Sequence, residues 1–272
     1  MFKCFKKLWH KITYKKPDVV EEQHEDETRS DNIPEEEVKE PSKKMLKWYP
    51  DRKRGHATED QKQRTRGGYK NDHPKGAVVH FTAGRSRPAA LGGKRNSKTA
   101  EGQANRSVES STSKGSYTYF LIDADGGVYQ NFPLNRWGYH AGKSSYKGLS
   151  GSVSDELVGI EVMCAGKLDK ASNGKHKAWF STVSKGDAYF EDNEVRHVTR
   201  KHNILHSGSY HKYTAKQEEA LFKLLRWLEY NGNGIFKLDF VLGHDEVAPS
   251  RKNDPGGSLS MTMPEFRKKL KE

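Results

Sequence analysis

A chain of 272 residues that is 33% hydrophobic and 31% charged is thin in apolar content, so one core beside a sizeable polar or disordered part is expected. Its formal charge of +12 suits anionic partners such as nucleic acid, acidic lipid or wall polymer, or serves solubility alone. The two cysteines, Cys4 and Cys164, exclude a disulfide framework or a CxxC metal site, and no apolar run approaches the ~20 residues that span a bilayer.

At the N-terminus, Phe2, Phe5, Leu8, Trp9 and Ile12 recur at helical spacing with lysines between them. The pattern fits a basic amphipathic helix over residues 1–16, either lying on an anionic membrane surface or fraying as a tail. Lys3, Lys6, Lys7 and Lys11 interrupt the apolar stretch that a secretory signal needs, so delivery to an extracytoplasmic substrate requires another route. Residues 17–47 read as an acidic linker broken by Pro17, Pro34 and Pro41, too poor in apolar groups to offset the entropy of ordering. The folded domain is placed at 48–272. Acidic and basic residues are roughly balanced before it, so the positive excess belongs to this domain.

Within it, Ala77–Phe81 reads as a strand and 84–115 as a long surface loop. Tyr117–Ile122 and Val128–Gln130 form a hairpin across Asp125-Gly126-Gly127. Leu157–Met163 is a strand, apolar except for Glu161, ending beside Cys164, a small buried residue. Residues 167–212 read as a polar, irregular insertion. The capping box Thr214–Gln217 opens a helix that carries Ala220, Leu221, Leu224, Leu225 and Leu228 on one face and stops at Asn231-Gly232. Phe236–Leu242 is a further strand, and a second capping box, Thr262–Glu265, starts a last helix. The fold class is α/β, a single domain with a central mixed sheet flanked by helices and preceded by a disordered segment.

Two places carry chemistry. His80 ends an apolar strand, where a histidine is either a hydrogen-bonded structural group or a functional one. Gly243–Gly257 is too rich in Pro and Gly for a helix and reads as a shaped loop with His244, Lys252 and Asp254, either a polar surface loop or part of a metal site. Zinc accepts imidazole nitrogen and carboxylate oxygen, and two histidines with one carboxylate leave a position open for water. A lone carboxylate on the strand of Glu161 is costly unless paired, which favours a functional role. Lys252 lies two places before Asp254 and would share its face in an extended segment. His73, His197, His202, His206 and His211 lie in polar stretches and read as solvated, with His206 or His211 also placed to line a groove.

Five segments in order resemble the zinc-dependent N-acetylmuramoyl-L-alanine amidases, the superfamily of phage lysozyme-type amidases and peptidoglycan recognition proteins. They are AVVHFTAG (77–84), YFLIDADGGVYQ (119–130), WGYHAGKS (137–144), VGIEVMCAG (158–166) and GHDEVAPSRKNDPGG (243–257). The resemblance implies Zn2+ as cofactor, held by His80, His244 and Asp254. It also implies Glu161 as catalytic acid–base, Lys252 as oxyanion stabiliser, and His140 as a substrate-side histidine that is not a ligand. The chain departs from the pattern in Trp-Gly-Tyr-His before Ala141, in Ser154-Asp155-Glu156 ahead of the glutamate strand, and in Thr118, where some phage enzymes carry tyrosine.

The implied activity is cleavage of the amide between N-acetylmuramic acid and L-alanine in peptidoglycan, in an endolysin-like, wall-degrading role. The protein would act at the bacterial cell wall as a monomer, released from the host cytoplasm, with an anionic membrane or envelope surface as partner of the N-terminal segment. The alternatives are a non-catalytic peptidoglycan-binding protein and an amidase of soluble muropeptides in wall recycling. No nucleic-acid motif is present, so nucleic acid is not an expected partner.

Overall fold

The computed structural model describes residues 45–54, 67–86, 119–182, 188–199 and 207–272. The amphipathic segment, nearly all of the linker, most of the 84–115 loop, Thr118, His202 and His206 lie outside the described residues.

A six-stranded mixed sheet forms the centre. Its strands are β1 (Lys53–Arg54), β3 (Gly76–Phe81), β4 (Phe120–Ile122), β5 (Val128–Gln130), β7 (Leu157–Val162) and β13 (Val241–Gly243), in the order β1-β5-β4-β7-β3-β13. Only the β4–β5 hairpin is antiparallel; the other neighbours run parallel. The expected Asp-Gly-Gly turn closes that hairpin, with Gly126 at φ 84°, a conformation open to glycine. Two two-residue strands, β2 (Gly67–Gly68) and β6 (Arg136–Trp137), pair as a small separate ribbon.

The central strands are apolar on both faces, as parallel strands covered on both sides must be. Ala77, Val79, Val158, Ile160 and Val162 face helices α2 (Ala215–Asn231) and α4 (Met263–Lys271). Both helices begin at the capping boxes read from the sequence, with Thr214 Oγ1 accepting from the Gln217 amide and Thr262 Oγ1 from the Glu265 amide. Leu221, Leu224, Leu225 and Leu228 are fully buried, worth ~2 kcal/mol each. The opposite face presents Val78, Leu157 and Leu242, covered by Ala141, by Val153 of the one-turn helix α1 (Val153–Glu156) and by Val247 of the one-turn helix α3 (His244–Val247).

Three expectations are corrected. Phe236–Leu242 is not one strand: a 3-10 turn at Leu238–Phe240 precedes β13. That turn seats the Phe240 backbone against Gly76, where a Cβ would come within 2.4 Å of the Phe240 carbonyl oxygen. The 167–212 insertion is not irregular. It builds a five-stranded antiparallel sheet from β8 (Lys167–Lys170), β9 (His176–Lys177), β10 (Tyr189–Phe190), β11 (Val195–Val198) and β12 (Gly208–His211), in the order β10-β9-β8-β12-β11. Leu168, Phe180, Phe190 and Val195 give it a small core of its own. Strands this short carry too few residues to show a period of two.

His73 is the third. It is 3% exposed, its Nδ1 lies 3.0 Å from the Pro74 carbonyl oxygen, and its ring meets Phe236 edge-on. Burial lowers its pKa below the 6.5 of a free imidazole, so the folded chain keeps it neutral while the unfolded chain protonates it more readily. Its folded-state pKa is the lower one, so stability is lost as pH falls through the unfolded value. The urea midpoint should therefore drop between about pH 7 and 5, and His73→Leu should show a shallower drop; an unchanged slope would contradict this account.

Candidate active site

The site sits at the carboxyl ends of the parallel strands, where open α/β sheets place ligands. His80 on β3 and Glu161 on β7 are register partners across a parallel pair, so both side chains leave the same face of the sheet. β13 runs beside β3 on its other edge and ends at Gly243, which delivers His244 next to them. The loop after α3 then returns, and the Asp245 amide donates to the Asp254 carbonyl at 2.8 Å, setting Asp254 against His244.

The hinge at Gly243 has no room for a side chain: a Cβ would lie 2.2 Å from Asp245 Oδ1 and 2.9 Å from Pro255 Cδ. Glu246 accepts from the Gly243 amide at 2.9 Å and pairs with the Arg267 guanidinium of α4 through two contacts of 2.7 and 2.8 Å. That paired, largely buried carboxylate fixes α3, the turn that carries His244. The Gly243–Gly257 segment is thus a short helix followed by a loop, where the composition suggested a loop throughout.

His80 Nδ1, His244 Nδ1 and Asp254 Oδ2 form a triangle with sides of 2.9, 3.0 and 2.9 Å. The opposite nitrogens fix the tautomers. His244 Nε2 lies 3.0 Å from the Ala141 carbonyl, which can only accept, so Nε2 carries the proton. His140 Nε2 lies 2.9 Å from the Leu157 carbonyl and must likewise donate. Its Nδ1 is then an acceptor, 3.1 Å from His80 Nε2, which makes His80 Nε2 a donor. With both rings neutral, as metal ligation requires, both Nδ1 atoms turn lone pairs toward the carboxylate.

Burial, reinforced by neighbouring His244, takes His80 down to about 4, and burial with neighbouring His80 takes His140 down to about 3, so both are neutral near pH 7. Burial alone would raise Asp254, but the contacts with His244 and His80 win and hold it well below the usual carboxylate range. Two neutral imidazole lone pairs and one carboxylate at 3 Å repel unless a cation or a shared proton lies between them. Their number, type and spacing fit a zinc ion, whose nitrogen and oxygen ligands sit at ~2.0–2.2 Å. The structure thus brings together the three residues expected to ligate metal.

Glu161 is half-buried, and its Oε2 is buried without a hydrogen-bond partner among the described residues. Burial first, then the charge of Asp254, raises its carboxyl to about 8, with Lys252 pulling the other way. Lys252 sits in a turn, its amide donating to the Ala248 carbonyl at 2.9 Å, rather than in the extended segment expected; its charge still acts on both His80 and Glu161. His140 is half-buried with both ring nitrogens engaged by the protein. Its ring lies on the β7 backbone where residue 159 is glycine; a Cβ there would approach His140 Cγ to 2.8 Å.

Sequence reading missed several supporting groups. Ser154 Oγ accepts from the His140 and Ala141 amides at 3.2 and 3.1 Å, fixing the loop that carries both. Arg251 donates to the carbonyls of Ala141 and Lys143 at 2.8 and 2.9 Å, tying the same loop to the His244–Asp254 segment. Tyr213 donates to the His80 carbonyl at 3.1 Å. Trp179, 68% exposed, donates from Nε1 to the Ala83 carbonyl three residues past His80. Of the histidines read as solvated, His197 is exposed, whereas His211 is half-buried, 3.3 Å from Ser86 Oγ and with its ring tilted against that of Phe190. Cys164 is fully buried, and burial pushes its thiol up to about 11, as suits an inert core residue.

Among solved structures, the chain is similar to AmpD at 19% identity, over 82% of this chain and 96% of that chain, with a TM-score of 0.43. It is similar to the N-acetylmuramyl-L-alanine amidase AmiD from E. coli at 17% identity, over 73% of this chain and 58% of that one, with a TM-score of 0.44. It is similar to the endolysin amidase LysCS from Clostridium intestinale URNW at 16% identity, over 83% and 98%, with a TM-score of 0.45. No curated protein sequence matches the chain. The family model for N-acetylmuramoyl-L-alanine amidase matches residues 70–257, well over half of the chain, including His80, His140, Glu161, His244, Lys252 and Asp254. The chain belongs to the N-acetylmuramoyl-L-alanine amidase family, enzymes that hydrolyse the amide between N-acetylmuramic acid and L-alanine in peptidoglycan.

Proposed function

We propose that residues 48–272 form a zinc-dependent amidase domain acting on the bacterial cell wall, endolysin-like in role. The observation that carries the reading is the triangle of His80 Nδ1, His244 Nδ1 and Asp254 Oδ2, three lone-pair groups aimed at one point. Bound there, zinc would polarise the scissile carbonyl and acidify a water. Beside the ion's charge the Glu161 carboxyl would return to its ionised form; from one strand over on the same face, Glu161 then takes the proton of the attacking water and passes it to the leaving L-alanine nitrogen. The Lys252 ammonium, near enough for its charge to act on both Glu161 and His80, steadies the negative charge that develops on the carbonyl oxygen.

His140 lies beside the substrate position but acts through His80: it accepts from His80 Nε2 and so keeps His80 Nδ1 free for the metal. It is a positioning residue. The exposed face of Trp179, pinned to the loop after β3, offers a flat apolar surface to a sugar or peptide of the wall polymer. The positive charge beyond residue 47 suits anionic wall polymers, and the N-terminal segment would add attraction to an anionic membrane. Among the described residues no helix is long and apolar enough to cross a membrane.

On purified peptidoglycan the full chain should clear a zymogram, stop clearing with chelator and recover with zinc. Mass spectrometry should show new L-alanine amino termini; new reducing sugar ends would mean a glycosidase and overturn the reading. Glu161→Gln should keep its zinc and lose about 10²–10⁴-fold in turnover; a variant of unaltered rate would remove Glu161 from the mechanism. Gly159→Ala displaces the His140 ring and should weaken zinc affinity by about 10–100-fold with the fold intact by circular dichroism. Wild-type affinity in that variant would refute the positioning role.

A further inference from the structure

The described residues bring one other set of metal-ligating groups together, inside the sheet of the 167–212 insertion. β9 supplies His176, the 3-10 turn Asp192–Glu194 supplies Asp192, and β11 supplies His197, with one ligand atom from each inside 4.8 Å of the others. His176 is 5% exposed, and its Nε2 lies 2.7 Å from Asp192 Oδ1. Among the described residues its Nδ1 is buried with no hydrogen-bond partner, so one ring nitrogen is unclaimed. The His197 ring centroid lies 5.2 Å from that of His176. Ser209 on β12 holds His197 Nδ1 at 3.0 Å, which leaves Nε2 to coordinate. The Asp192 side chain is 81% exposed, so the cluster opens to solvent and an ion can enter without disturbing the core.

We propose that His176, Asp192 and His197 form a second metal site, structural in role, for a divalent ion of the zinc class. Two imidazoles and one carboxylate suit zinc, with cobalt, nickel and copper as chemical competitors, and disfavour calcium or magnesium, which take oxygen ligands. The surroundings supply a reason for it. The sheet is made of strands of two to four residues on a core of few side chains, a unit of the kind that small folds reinforce with a metal. β9 and β11 are not neighbours in that sheet; β8 and β12 separate them, and Asp192 comes from outside the strands. One ion on all three would therefore cross-link segments that share no backbone ladder. It is separate from the His80 site, with no residue in common.

The test uses the full chain, stripped of metal and dialysed against zinc at low micromolar free concentration, with bound zinc counted per chain. Two zinc ions per chain are expected for wild type and one for His197→Ala and for Asp192→Asn, both exposed positions whose change spares the core. His80→Ala should also retain one, and His80→Ala combined with His197→Ala none. Zinc should further protect the insertion from limited proteolysis in His80→Ala and not in the double variant. Wild type binding a single ion that His197→Ala leaves in place would reduce the cluster to a hydrogen-bonded histidine and overturn the proposal, as would a second ion that survives His197→Ala. A single ion lost in His197→Ala and kept in His80→Ala would uphold this site while removing the His80 one.

Discussion

Two imidazole nitrogens and a carboxylate oxygen within 3 Å of one another are the constraint around which this molecule is organised. Such an arrangement is unfavourable by itself, and a protein keeps it only by fixing each group from behind. Here the fixing is explicit. The Ala141 carbonyl holds His244 Nε2, His140 holds His80 Nε2, and the Leu157 carbonyl holds His140. Two of these links end on backbone carbonyls, and the one from His140 to Leu157 sets the direction of the His80–His140 bond, so the tautomers follow from the fold. Removing any link frees a ring to turn its lone pair elsewhere.

The larger architecture serves the same end. Parallel pairing of β7, β3 and β13 places Glu161, His80 and His244 side by side at the carboxyl ends of three adjacent strands. The helices on the far face bury the leucine stripe that holds those strands flat against each other. α4 contributes again through Arg267, whose pairing with Glu246 locks the turn bearing His244. Breaking a buried pair of this kind costs about 3–5 kcal/mol, because the partner is left charged and dry. Two glycines mark close approaches at the site: Gly159 under the His140 ring and Gly243 at the hinge.

Legibility in the sequence divided along physical lines. His80, His244 and Glu161 were readable because each lies on or directly after a strand whose apolar residues announce it, and Asp254 because the five segments that include it resemble one family. The two capped helices were readable from local chemistry, since Thr214 and Thr262 form their boxes with residues three places on. What escaped depends on contacts distant in sequence. His73 looks solvated in its polar stretch, yet Phe236, far along the chain, buries it. Ser154 and Arg251 are ordinary polar residues until the fold brings them to the His140 loop. The insertion's sheet was hidden because its apolar residues are widely spaced and its strands are only two to four residues long. Lys252 was expected to share a face with Asp254 through an extended backbone; it acts on the site from a turn instead.

The most direct test is the anomalous difference map of a zinc-loaded crystal, collected at the zinc edge. The account predicts a peak bounded by His80 Nδ1, His244 Nδ1 and Asp254 Oδ2, with His80 Nε2 still on His140 and His244 Nε2 still on the Ala141 carbonyl. No peak there at saturating zinc, or coordination through either Nε2, would contradict it.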